Sequence, residues 1–141
     1  MRDHLKTRLF PLRPHRINDV TFTDIFHSSL RSVRGYSKWQ LFACRDSEFD
    51  ACYLMKNKSA AHHNYQDFVR EFGAPNYMVS DNAGELSGTQ WKNVSRTFCI
   101  EEHHSEAYHQ NQNLAERRGG TIKEYVVHCL SRSGADTRYW C

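Results

Sequence analysis

Three acidic residues stand at positions where a carboxylate needs a partner. Asp24 falls within VTFTDIF, a segment whose alternating apolar and polar residues predict a half-buried strand. The two-residue period of a strand puts Asp24 on the same face as Phe22 and Phe26, and a lone carboxylate on an apolar face is unfavourable unless something pairs it. Asp81 follows the apolar segment NYMVS, at the carboxyl end of a predicted strand, and Glu116 opens the last predicted helix, near its positive end.

Three clustered carboxylates repel one another, so they would need a cation to balance their negative charge. If the first and fourth strands are neighbours, the two aspartates approach each other and the last helix brings Glu116 beside them. Hard oxygen ligands in such a cluster suit Mg²⁺ or Mn²⁺. Two ions about 3.5–4 Å apart would activate an attacking oxygen and stabilise the leaving one in an in-line displacement at phosphorus. The same positions are also those of ordinary helix caps and surface charges, so the residues alone leave both interpretations open.

The elements that must position these carboxylates follow one order along the chain. Periodicity predicts three strands, a helix, a strand, a helix, a strand and a final helix. Ser59 and Thr89 are the predicted caps of the first two helices. Three strands followed by βα alternation predict an α/β fold with a five-stranded mixed sheet flanked by helices. The predicted strands cover 20–26, 40–45, 49–55, 76–80 and 99–103, the helices cover about 60–72, 90–98 and 114–131, and the last helix is predicted to bury Ala115, Ile122, Val126 and Cys129.

Size and charge set the broad class of the chain. Its 141 residues are enough for one domain, and a mean hydropathy of −0.76 without a long apolar run argues against a membrane protein. A net charge of +3 and a pI near 8.6 permit a nucleic-acid partner without requiring one. Residues 1–18 are predicted to be a basic linker or arm, and residues 19–141 the core domain. The five cysteines form no CxxC pair, which favours reduced thiols in an intracellular protein.

The sequence around the three acids resembles one known family. YMVSDNAGEL, which contains Asp81, and YHQNQNLAERRGGTIKE, which contains Glu116, are similar to the integrase catalytic core of copia-type LTR retrotransposons. FTDIFHSSLRSVRGYSKWQLF, which contains Asp24, is similar to the first two strands of that core, and the resemblance covers roughly residues 17–141. The family belongs to the retroviral integrase superfamily, so the resemblance implies a ribonuclease-H-like fold.

The resemblance also implies an activity, a metal and partners. It makes Asp24, Asp81 and Glu116 the catalytic D,D,E triad and the ligands of Mg²⁺ or Mn²⁺, with two ions expected. The implied reaction is phosphoryl transfer on DNA, in which a 3′-hydroxyl at an element end attacks a phosphodiester of the target. The implied partners are element ends and target DNA, with homo-oligomers formed by the full-length integrase. A location in the nucleus or in a retroelement particle follows from the same resemblance.

Six residues near the triad are predicted to contact DNA. Arg117, Arg118 and Lys123 on the last helix offer positive charge to phosphate, although a solvated helix face is an equal alternative. Polar residues of the two loops beside the triad complete the set, and for them a turn or plain loop polarity is the alternative. These loop residues are Asn82, Gln112 and Asn113.

The sequence departs from the family at several points. The segment between Asp81 and Glu116 is one residue shorter than in the family, and Gly119 and Gly120 stand where basic or polar helix formers are usual. Each Gly weakens a helix interior by ~1 kcal/mol relative to Ala. The chain also ends at Trp140-Cys141, early in what the resemblance implies is the closing helix, so we expect a C-terminally incomplete core with its last helix truncated. These departures make a catalytically decayed fragment with weak nucleic-acid binding the alternative function. A nuclease of the ribonuclease H class is a third interpretation, but the sequence offers no convincing fourth acid for it.

Overall fold

The chain is described by a computed structural model over residues 18–81, 84–104 and 114–141. Within these ranges the strands and helices follow the predicted order. Residues 1–17, which make up most of the predicted basic arm, lie outside the described residues, so the division into arm and core stays a prediction. The strands are β1 (Val20–His27), β2 (Lys38–Cys44), β3 (Asp50–Met55), β4 (Tyr77–Ser80) and β5 (Glu101–His104), and the helices are α1 (Ala61–Phe72), α2 (Thr89–Thr97) and α3 (Leu114–Ser133).

The five strands form one mixed sheet in the order β3-β2-β1-β4-β5. β1 pairs antiparallel with β2, which pairs antiparallel with β3, whereas β1 and β4, and β4 and β5, run parallel. The predicted fold class is therefore confirmed, and the first and fourth strands are neighbours. Because β1 is the central strand, Asp24 lies in the middle of the sheet, opposite Leu41 of β2.

Helices α1 and α2 cover one face of the sheet and enclose the larger of two apolar clusters. The ring of Phe42 on β2 stacks on Phe68 of α1 with centroids 4.5 Å apart, and Tyr65 of α1 stacks on Trp91 of α2 at 4.2 Å. These four side chains are almost completely buried. Full burial of a Phe side chain contributes about 1.5–3 kcal/mol, so this face supplies much of the stability that holds β1 in place.

On the other face of the sheet, α3 packs over β1 and β2. The second apolar cluster lies beneath it, with Phe26 stacked on Trp39 at a centroid distance of 4.3 Å and Ala115 of α3 fully buried. Phe22 packs against the same cluster, so the predicted alternation of β1 puts Asp24 on the α3 face. α3 is 20 residues long, yet no helix in the described ranges is both long and apolar enough to cross a membrane.

The helix ends differ from those predicted from the sequence. Ser59 lies inside a 3-10 turn, Lys58–Ala60, which leads directly into α1, so the backbone rather than a serine side chain forms the start of this helix. Thr89 is the first residue of α2, and its cap is Gly88. α3 runs to Ser133, close to its predicted end at residue 131, and is followed by Gly134 with a φ of +66°. That the core is incomplete at its C-terminus stays a prediction.

Candidate metal centre

Asp24 and Asp81 occupy adjacent positions because β1 and β4 run parallel in one register. Thr23 of β1 pairs with Ser80, the last residue of β4, and an aspartate follows each of them: Asp24 within β1 and Asp81 directly after β4. Asp24 is half-buried, and its Oδ1 accepts a hydrogen bond from the backbone N–H of Ile25 at 2.7 Å. The strand pairing thus brings together two of the three acids that were predicted to form the site.

The charges of the other two acids act on Asp24. Burial raises the pKa of Asp24 from its ordinary 3.8 to about 6, against the opposing effect of the hydrogen bond from Ile25. The negative charges of Asp81 and Glu116 raise this pKa further, whereas the positive charge of Lys123 lowers it. Both other acids of the predicted site therefore lie close enough to Asp24 for their charges to act on it.

Glu116 is exposed in the first turn of α3, a helix that approaches β1 through small residues. Gly119 is buried against the ring of Phe26, and a Cβ on this glycine would lie within 2.7 Å of Cε2 and closer still to other ring atoms. Gly120 by contrast has no neighbouring atom within 4 Å of the position of its missing Cβ. The two glycines that the sequence presents as one departure from the family therefore have different roles, and only the first sets the distance between helix and strand.

An ion pair fixes the same part of α3 to the start of β3. Nη1 of Arg118 donates to Oδ1 of Asp50 at 2.7 Å and to the backbone oxygen of Phe49 at 3.5 Å. The side chain of Arg118 is only 17% exposed and that of Asp50 27%. Arg118 therefore has a structural partner, and the prediction that it contacts DNA remains a prediction for a cation whose charge is already paired.

The other predicted DNA contacts fall into two groups. Arg117 is exposed on α3. Nζ of Lys123 lies 4.7 Å from the centroid of the ring of Phe26, which is two residues from Asp24 on β1. Lys123 is therefore near the carboxylates as well as on the predicted DNA-facing helix. The remaining three, Asn82, Gln112 and Asn113, lie outside the described residues.

The donor set fits a hard divalent cation, although it is not arranged as a coordination shell. Among residues 18–81, 84–104 and 114–141, no three His, Cys, Asp or Glu side chains come close enough together to hold a metal ion. Two aspartates at adjacent positions and a glutamate whose charge reaches Asp24 nevertheless supply only oxygen ligands, and a divalent cation would balance the negative charge that acts on Asp24. Asp24, Asp81 and Glu116 are the residues that would hold such an ion.

Two features that position the site were not predicted from the sequence. The packing of Gly119 on Phe26 has a signal, because Ala115 and Gly119 are four residues apart and place two small side chains on one face of α3. The pairing of Arg118 with Asp50 has no signal in the sequence, because the two residues are far apart along the chain and no local pattern connects them.

No protein-family model matches the chain, and no curated protein sequence matches it. Solved structures do share its fold. A chain of the simian T-cell lymphotropic virus intasome, in complex with PP2A regulatory subunit B56 gamma, aligns with a TM-score of 0.72 and 16% identity, covering 83% of this chain and 43% of that chain. The HTLV-2 integrase catalytic core domain, in complex with magnesium in a trimeric form, aligns with a TM-score of 0.63 and 17% identity, covering 82% of this chain and 73% of that one.

The catalytic core domain of BIV integrase is a third similar structure. It aligns with a TM-score of 0.66 and 12% identity, covering 86% of this chain and 76% of that one. The chain thus spans less than half of the matched intasome chain and about three quarters of the two isolated core domains. At these identities the likeness shows the fold: the chain has the ribonuclease-H-like fold of retroviral integrase catalytic cores.

Proposed function

We propose that the chain is the catalytic core of a copia-type integrase, which transfers strands of element DNA into target DNA in a reaction that depends on divalent metal. The supporting observation is the register of β1 and β4, in which Thr23 pairs with Ser80 and an aspartate follows each, while α3, the helix that carries Glu116, covers the face of Asp24. The fold shared with retroviral integrase cores supports the reaction class. The segments around Asp81 and Glu116 supply the assignment to the copia type.

In this proposal each residue of the triad has a defined task. Asp24 and Asp81 bind the cation from two adjacent strands, and Glu116 adds the third carboxylate from α3. Mg²⁺ or Mn²⁺, bound as two ions, would supply activation of the attacking 3′-hydroxyl and stabilisation of the leaving oxygen. Lys123 offers positive charge to the DNA phosphate beside Asp24, and the contact between Gly119 and Phe26 keeps Glu116 at a fixed distance from the strand.

The proposal also names the partners and the setting. The DNA partners are element ends and the target duplex, and we propose that the full-length integrase acts as a homo-oligomer. The trimeric form of the HTLV-2 core is a precedent for self-association in a protein of this fold. The proposed location is the nucleus or a retroelement particle, because the element and host DNA meet there.

Strand cleavage and joining on a branched DNA substrate tests the proposal. The purified chain with Mn²⁺ should cleave and rejoin the substrate, and EDTA should abolish the reaction. Asp81→Asn should remove the activity, whereas Glu101→Gln, which neutralises an exposed acid on β5, should retain it. Activity that survives Asp81→Asn would rule out the proposed mechanism.

A noncatalytic descendant with weak DNA binding is the second candidate function. One observation favours it: no metal-holding group of three side chains forms among the described residues. On this alternative the chain binds DNA equally well with and without Mn²⁺, and Asp81→Asn changes nothing. Complete inactivity of the folded wild-type chain in the branched-DNA assay would support this candidate over the first.

A further inference from the structure

Two loops border the end of the sheet at which β1 finishes, and both carry only positive charge. The connection from β1 to the first residue of β2 contains three basic residues and no acid, and the segment between β3 and α1 contains two basic residues and no acid. At the opposite end of the sheet, the hairpin between β2 and β3 is rich in acid. We call the five cations the basic rim: Arg31, Arg34, Lys38, Lys56 and Lys58.

The two loops of the basic rim form one continuous surface. The backbone N–H of Ser37 donates to the backbone oxygen of Met55 at 3.4 Å, and its hydroxyl donates to the backbone oxygen of Lys56 at 3.3 Å. The side chain of Lys56 also passes close to Gly35, where an added Cβ would lie 3.9 Å from Cε. Cations that are separate in the sequence are therefore neighbours on the protein.

The loop that carries Arg31 and Arg34 is held in place by its own hydrogen bonds and by the end of the chain. Ser32 is buried; its backbone N–H donates to the oxygen of Tyr36 at 2.8 Å, and its hydroxyl accepts from the N–H of Tyr36 at 3.0 Å. Nε1 of Trp140 donates to the backbone oxygen of Leu30 at 3.0 Å. Both arginines therefore extend from a fixed backbone, which lowers the entropy lost when they bind a ligand.

Most of this charge is not neutralised within the described residues. Lys58 lies 3.5 Å from a carboxylate oxygen of Glu85, and no other ion pair in residues 18–81, 84–104 and 114–141 includes a member of the basic rim. The side chains of Arg31, Arg34 and Lys56 are exposed. Neighbouring exposed cations repel one another, and an anionic ligand would relieve that repulsion.

The basic rim lies at the end of the sheet where β1 finishes. Lys38 pairs in register with His27, three residues beyond Asp24 on β1, and strand alternation turns this pair to the face opposite Asp24. Because the cations are spread over two loops, their arrangement suits an extended polyanion with several phosphates rather than one small phosphate ion. We infer that the basic rim binds the phosphate backbone of duplex DNA beyond the carboxyl end of β1; the choice of DNA as the polyanion rests on the proposed function.

Binding of a fluorescent DNA duplex in EDTA tests this inference, because no metal is then present and no strand transfer takes place. The double variant Arg31→Gln with Lys56→Gln removes two charges from the basic rim. The matched control, Arg70→Gln with Lys92→Gln, removes two charges from exposed residues of α1 and α2. Anisotropy titrations over a range of salt concentrations give the slope of log affinity against log salt, and thermal unfolding verifies that both variants fold.

The inference predicts a difference in slope between the two variants. Each lost phosphate contact makes the slope shallower by about 0.9, so the rim variant should lose about 1.8 and the control should keep the wild-type value. Equal slopes for the rim variant and wild type, or a wild-type chain that does not bind DNA, would overturn the inference. A wild-type chain inactive in the branched-DNA assay but with the predicted slopes would contradict the proposed function and leave the basic rim as a DNA-binding surface.

Discussion

Gly119 of α3 lies against the ring of Phe26 in β1, so close that position 119 has no room for a side chain. Glu116 precedes this glycine by about one helical turn, and Asp24 precedes Phe26 by one repeat of the strand. The contact therefore sets the separation of two elements that carry acids of the proposed triad. A glycine that weakens the helix by its own propensity permits the approach that the site requires.

Alanine at Gly119 and at Gly120 should change stability in opposite directions. Gly119→Ala forces a methyl group into the Phe26 ring, and overpacking of this kind costs about 1–3 kcal/mol, more than the ~1 kcal/mol that alanine adds to helix stability. Gly120→Ala meets open space and should stabilise the chain by about 0.5–1 kcal/mol. Urea unfolding of both variants measures the effect, and a Gly119→Ala chain more stable than wild type would contradict the packing described here.

Asp24→Asn should stabilise the metal-free chain near neutral pH. The pKa of Asp24 rises from 3.8 when unfolded to about 6 when folded, because burial and then the charges of Asp81 and Glu116 disfavour ionisation. Between these pH values the folded chain binds more protons than the unfolded chain, so the stability of the wild type falls as pH rises through this window. After allowance for solvent screening of this half-buried group, the gain on substitution is about 1–2 kcal/mol.

Unfolding in EDTA as a function of pH measures this effect. The stability difference between Asp24→Asn and wild type should be largest above the folded pKa and should shrink as the pH falls below it. Glu124→Gln, which changes an exposed carboxylate on α3, is the control and should differ from wild type by less than about 0.5 kcal/mol. A stability difference for Asp24→Asn that does not depend on pH would mean that burial and the neighbouring charges do not raise the pKa of Asp24.

Divalent metal should reverse the order of these stabilities. A ligand present at about 100 times its Kd stabilises the folded state by about 2.7 kcal/mol, and wild type should gain this from Mn²⁺. Asp24→Asn and Asp81→Asn should gain much less, since each loses one of two adjacent carboxylates. Glu101→Gln should respond like wild type, and an equal response of all four chains would remove the metal site from the proposal.

The order of elements and the placement of two acids were predictable because they depend on local patterns. The alternation of side chains in β1 puts Asp24 and Thr23 on opposite faces of the sheet. The order of strands and helices favours the parallel pairing of β1 with β4. Register then follows from which faces must be buried. No comparable rule predicts which atoms a helix approaches across the sheet, so the role of Gly119 needed the structure.

The buried face of α3 could likewise be predicted only in part from the sequence. Ala115 is buried and Ile122 and Val126 are half-buried, as their spacing predicts, but Cys129 is exposed. Helical periodicity identifies an apolar stripe, yet it does not say how far along the helix the sheet extends beneath it. The cap predictions at Ser59 and Thr89 failed for a related reason: residue type favours a cap, but the path of the chain into the helix decides whether one forms.

The ion pair between Arg118 and Asp50 should contribute measurably to stability, unlike the surface pairs of this chain. Its side chains are 17% and 27% exposed, whereas those of Arg70 and Asp67 on α1 are 76% and 47% exposed. A double-mutant cycle with Arg118→Gln and Asp50→Asn should give a coupling energy of about 1 kcal/mol, against at most about 0.5 kcal/mol for Arg70→Gln with Asp67→Asn. Urea unfolding of the six variants and wild type yields both values. Because the pair joins α3 to β3, its loss should also reduce strand transfer more than loss of the α1 pair does, and equal coupling energies in the two cycles would show that the pair does not anchor the helix.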